Sequence, residues 1–142
     1  MGENKLIYKL YKIENILYKY KLTIFAVLIR IIIRVLFSCD IPYKAKIGKG
    51  TVFPHLGLGV LIHPNTQIGE NCKILQGVSI GGKSAHKEVP IIGNNVLIGA
   101  HALVLGPIKI GDNAIIGAGA VVIHDVLPNT VVAGNPAKEI KK

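Results

Sequence analysis

The stretch Ile98–Val122, IGAHALVLGPIKIGDNAIIGAGAVV, decides the fold, because its aliphatic residues recur at an interval that neither a helix nor a flat strand uses. Ile98, Val104, Ile110, Ile116 and Val122 are six residues apart. Carried backward, the same frame runs through Ile62, Ile68, Ile74, Ile80, His86 and Ile92, so ten of these eleven positions are aliphatic. Glycine follows at 69, 81, 93, 99, 111 and 117. Two residues before the aliphatic, the chain is small or β-branched: Thr66, Cys72, Val78, Val96, Ala102, Ala114 and Ala120.

A helix repeats every 3.6 residues and a strand every two. A six-residue period fits short strands joined by corners, with the aliphatic and the residue two before it pointing inward and glycine relieving crowding at the corner. Hexapeptide repeats of this kind are a parallel β-helix signature. With three faces to a coil, residues 62–127 supply between three and four coils. Ile47 is out of phase with Ile62, so the intervening Phe53–Val60, FPHLGLGV, must contain an insertion or bulge. A second break, GGKSAHKEVP at 81–90, is polar and is expected to replace two coil faces with a protruding loop.

Composition agrees with many short strands: half the chain is hydrophobic, Gly numbers 16, and there is no Trp. The 142 residues suffice for one domain with a real core. Net charge is +9, with +5 of it in residues 1–38, which points to anionic partners. A nucleic-acid module is excluded, because beyond the N-terminus the basic residues are not interleaved with aromatics. Cys39 and Cys72 form no framework, and no signal peptide is evident, so a reducing cytoplasm is expected.

Residues 4–19 read as a basic, Tyr-containing helix and 22–37 as a more apolar one, ending where Pro42 bars continuation. Arg30 and Arg34 interrupt the apolar run, so it is no membrane span. It is expected to serve as a trimer or coil-capping element, with peripheral contact at the inner membrane surface through residues 1–38 as the alternative. The division expected is a helical segment at 1–38 and a β-helix domain at 39–142.

Several blocks resemble the hexapeptide-repeat acyltransferases, and specifically their serine acetyltransferase branch: DIPYKAKIGKG (40–50), FPH (53–55), IGENCKILQGVSIGG (68–82), the stretch at 98–122, and AGNPAK (133–138). The resemblance implies a left-handed parallel β-helix forming a homotrimer, with sites between subunits and acetyl-CoA as donor. It implies that His55 is the general base, with Asp40, fifteen residues earlier, holding the imidazole's other nitrogen. It also implies that Gly82, Ala100 and Ala118 lie against the donor, whose phosphates would meet Lys83 and Lys138.

The loop carries Glu88-Val89-Pro90 where the serine enzymes carry Arg-His-Pro, and Pro54 stands where they carry an acid. A carboxylate acceptor needs a cation, and Glu88 would repel it. The shortened form also resembles the acetyltransferases of bacterial surface-polysaccharide biosynthesis, which implies a sugar hydroxyl of a surface polysaccharide or its precursor as the expected acceptor, with serine the alternative. His86 is a candidate replacement for the loop histidine. His63, His101 and His124 are expected to be corner or solvated residues, His101 being near enough to Ala100 to touch the donor. Zinc carbonic anhydrases share such a β-helix and resemble one another in having two His five residues apart. Here the intervals are 8, 23, 15 and 23, so no metal is expected. A non-catalytic scaffold would have no need of an irregular, His-bearing break.

Overall fold

The computed structural model describes residues 5–140. Two helices, α1 (Leu6–Lys19) and α2 (Thr23–Phe37), precede a left-handed parallel β-helix. Its first face stacks Lys46–Ile47, Gln67–Ile68, Ile91–Ile92 and Lys109–Ile110. The second stacks Lys73–Ile74, Leu97–Ile98, Ile115–Ile116 and Val131–Gly134, with Ala137–Glu139 folding back antiparallel on the last. The third stacks Leu61–Ile62, Ser79–Gly81, Leu103–Leu105 and Val121–Val122.

The six-residue frame is the core. All ten aliphatics of the frame are at most 5% exposed, and the seven small or β-branched residues two places earlier are at most 1%. Removing an isoleucine side chain from water contributes about 1.5–3 kcal/mol, and here those side chains stack in three parallel columns.

A regular coil takes eighteen residues, as where Ile92 pairs with Ile110. Ile47 pairs with Ile68, twenty-one residues on, so three extra residues enter between them, at the break expected from the phase. Ile68 pairs with Ile92, twenty-four on. Here the expectation needs correction: residues 82–90 replace no coil face but add six residues at one corner. Because the addition equals one period, the frame passes through it unbroken, and His86 falls on a frame position while standing exposed in the loop.

α1 and α2 cap the first coil with their inner sides. Ile7, Tyr11, Ala26 and Ile33 are buried, and Tyr11 donates its hydroxyl to Ala45 O at 2.6 Å while accepting from Ile47 N at 3.2 Å. Asn15 Nδ2 donates to Tyr43 O at 2.7 Å. α2 stops at Ser38, whose left-handed conformation (φ 52°) ends it before Pro42 is reached. Asn4, the first residue of the expected α1, lies outside the described residues. No described helix is long and apolar enough to cross a membrane.

Candidate active site

Each coil turns three corners, and the corner between the second and third faces carries the candidate base. His55 lies in the three-residue insertion, in a turn at Pro54–Gly57. Phe53, fully buried, anchors its start, and Gly57 packs against Cys39 and Phe53 at its end. Between them His55 (φ 54°), Leu56 (φ 57°) and Gly57 (φ 65°) are all left-handed. For a residue with a Cβ that conformation costs about 1–2 kcal/mol, so the fold accepts strain twice in order to hold His55 exposed.

Above that turn the corner continues as a column. Gly77 N donates to Leu58 O at 2.8 Å, His101 N to Gln76 O at 2.9 Å, and Gly119 N to Ala100 O at 2.8 Å. His55, Ala100 and Ala118 therefore lie along one edge of the β-helix, a coil spacing of about 4.8 Å separating successive rungs. Lys138 sits exposed in the closing hairpin, paired with Ala133, which rests against Gly117 at the top of the same edge.

Asp40 reaches this region through its backbone: Asp40 N donates to Val60 O and Gly59 N to Ser38 O, both at 2.8 Å. Its carboxylate, expected to hold the His55 imidazole, is instead held by α2. Arg30 Nε donates to Oδ1 at 2.8 Å, and Arg34 Nη1 lies 3.7 Å from Oδ2. Among the described residues no hydrogen bond joins Asp40 to His55. Beneath this pair Glu14 is fully buried with no hydrogen-bond partner for either carboxylate oxygen. Burial pushes its carboxyl up to about 8, with Arg30 opposing the rise and Asp40 adding to it. Sequence reasoning missed Glu14, Arg30 and Arg34. The four-residue spacing of the arginines put them on one helix face, but nothing local named Asp40 as their partner.

The remaining candidates occupy the next corner. Gly82, Lys83, His86 and Glu88 are exposed in the inserted loop. Gly82, Lys83 and His86 line a cleft of about 790 Å³ with Pro107, His124 and Asp125. This corner and the His55 column border opposite edges of the third face, whose strands are two or three residues wide, or roughly 10 Å. A further cleft of about 720 Å³ between α1 and the first face, lined by Lys12, Lys19, Lys44 and Lys46, contains none of the candidates. Among the described residues no three His, Cys, Asp or Glu side chains gather as a metal site. Burial raises both free thiols, Cys39 to about 12, so neither serves as a nucleophile.

Residues 90–124 match the family described as bacterial transferase hexapeptide (six repeats). The serine acetyltransferase of Helicobacter pylori strain 26695 is 38% identical over 134 residues, covering 93% of this chain and 78% of that protein. The chain belongs to the serine acetyltransferase family. Serine acetyltransferase 1 (chloroplastic) of Arabidopsis thaliana is 46% identical over 132 residues, 92% of this chain but 42% of that one. The chain thus spans about half the length, or less, of several relatives it matches. Soybean serine acetyltransferase complexed with serine superposes with a TM-score of 0.88 at 39% identity, covering 95% of this chain and 56% of that one. The Brucella abortus serine acetyltransferase in complex with coenzyme A gives 0.88 at 34%, over 94% and 54%. Family membership gives the sugar acceptor no support. The loop's Lys83 and Lys87 also outweigh Glu88, so its net charge does not repel a carboxylate.

Proposed function

We propose that this serine acetyltransferase family member is an acetyl-CoA-dependent O-acetyltransferase whose acceptor is L-serine. The observation that carries the reading is the His55 turn: an exposed imidazole held by strained backbone at the foot of the corner where Ala100 and Ala118 stack. Similarity to a serine-complexed and a CoA-complexed enzyme supports the two substrates.

In this mechanism His55 takes the proton of the serine hydroxyl as the oxygen attacks the thioester carbonyl carbon. The tetrahedral oxyanion collapses, the C–S bond breaks, and the departing CoA thiolate takes the proton back from the imidazolium. Ala100 and Ala118, being small, let the pantetheine lie along the corner, with Lys138 placed for phosphate. Asp40 steadies the His55 region from the adjoining rung, and its ion pairs with Arg30 and Arg34 fasten α2 to that rung.

One protomer holds the His55 column and the loop on opposite edges of a face, which supports an acceptor site closed by the loop of a second copy, as in the trimer that the resemblance implies. Sedimentation of a folded sample as a monomer would remove this part of the proposal.

The deciding experiment measures CoA release from acetyl-CoA with L-serine and with a panel of sugars. The proposal requires turnover with serine at least tenfold above any sugar. Turnover with sugars alone would restore the glycan reading, and release with neither would reject the transferase.

A further inference from the structure

The corner above His55 contains one residue that its own geometry does not call for. Four positions there are left-handed: Gly59 (φ 70°), Gly77 (φ 70°), His101 (φ 58°) and Gly119 (φ 67°). Three are glycine, the residue that adopts this conformation at least cost. At Gly119, one coil above His101, a Cβ would meet open space, and the backbone bond to the rung below is made all the same. The coil therefore turns this corner without a side chain, and nothing in its hydrogen bonding requires an imidazole at 101.

The ring's direction is specific. A Cβ on Gly77 would collide with Nδ1, Cε1 and Cγ of His101, so the imidazole is laid back over Gly77, one rung toward the His55 turn. It is exposed, and its ring nitrogens have no hydrogen-bond partner among the described residues. An unpaired, solvent-facing donor and acceptor thus stand between Ala118 and Ala100 above and His55 below.

We propose that His101 is a donor-binding residue: its ring N–H donates to a carbonyl of the acyl–pantetheine tail as that tail runs down the corner from Ala118 to His55. This deepens the reading of that corner as the acetyl-CoA groove and rests on it. Gly77 is the complement of the same device, since any larger residue would push the ring out of the groove.

The test uses His101→Gly and His101→Asn, both suited to a left-handed corner, so the coil is retained. Wild type and variants are compared by calorimetric titration with CoA, by KM for acetyl-CoA at saturating acceptor, by kcat and by Tm. The expected result is a fivefold or larger rise in both KM and the CoA dissociation constant, with kcat within about twofold and Tm unchanged or higher in the glycine variant. Unchanged CoA affinity in both variants, beside a wild type that binds CoA, would overturn the role of His101 alone. A wild type that binds no CoA would overturn the donor reading itself, and this inference with it. A fall in Tm with CoA affinity intact would reduce the ring to packing.

Discussion

Two corners of the same β-helix solve one backbone problem in different ways. Between the first and second faces, the left-handed position is Asn in successive rungs: Asn71, Asn95, Asn113 and Asn129, with φ between 55° and 61°. Each Asn N–H donates to the rung below at 2.8–2.9 Å, and Asn113 Nδ2 donates to Asn129 Oδ1 at 3.0 Å. Glu70 N and Asn94 N are likewise met by the side chains of Asn94 and Asp112 in the rung above. Asparagine adopts this conformation readily and completes its own bonding, so that corner is built for stability. Between the second and third faces the equivalent positions are glycine and one histidine, a three-residue insertion interrupts the column, and His55 and Leu56 sit strained at its foot. Where the repeat follows its own rule it holds the coil together; where it departs, it exposes the imidazole to which the proposed function gives the chemistry.

This contrast can be broken at several points. The largest stability effect lies in the core that both corners share. Ile98→Ala, at a fully buried frame position, should cost about 2–5 kcal/mol by denaturant unfolding, because the stacked neighbours cannot close the cavity. A loss below 1 kcal/mol would mean the columns are not close-packed.

Next comes Glu14, buried on α1 within the fields of Arg30 and Asp40. Its folded pKa of about 8 stands above the ordinary 4.5, so the folded chain binds the proton more tightly. The resulting stability is fully present below about pH 4.5 and disappears as pH rises through about 8. Glu14→Gln should remove that slope and raise stability at pH 8.5 by on the order of 2 kcal/mol, read from unfolding curves across pH. Parallel pH profiles for the two proteins would show Glu14 to be paired and charged.

Asn113→Ala should cost about 1 kcal/mol of stability, the strain of a Cβ-bearing residue without asparagine's local bonding. It should leave acetyl transfer untouched. Smallest is Lys138→Ala: an exposed cation meeting phosphate contributes about 0–1 kcal/mol, so KM for acetyl-CoA should rise at most about fivefold, with the effect fading in salt.

The frame from Ile62 to Val122 made the core legible because inward positions repeat along the chain, where a linear pattern can show them. Ile47's phase likewise located the insertion that carries His55. The loop at 82–90 was misjudged for a physical reason: six added residues leave the phase intact, so a lengthened corner and a degraded face look alike in sequence. His101 read as a solvated side chain near enough to Ala100 to touch the donor, and it is exposed, but the aliphatic frame says nothing about which corners are left-handed or where a ring then leans. The hold of Arg30 on Asp40 joins α2 to the first rung, and no local spacing announces a bond made by packing between elements.

The most direct test of the contrast is one pair of kcat values for CoA release from acetyl-CoA with L-serine, measured on His55→Ala and Asn113→Ala. Both residues are left-handed, exposed and at corners, so a structural role for both predicts similar, small effects. The general-base role predicts that His55→Ala loses about 10²–10⁴ in kcat with its Tm nearly unchanged, while Asn113→Ala stays within about twofold of wild type. Equal rates in the two variants would contradict the assignment of catalysis to the His55 corner.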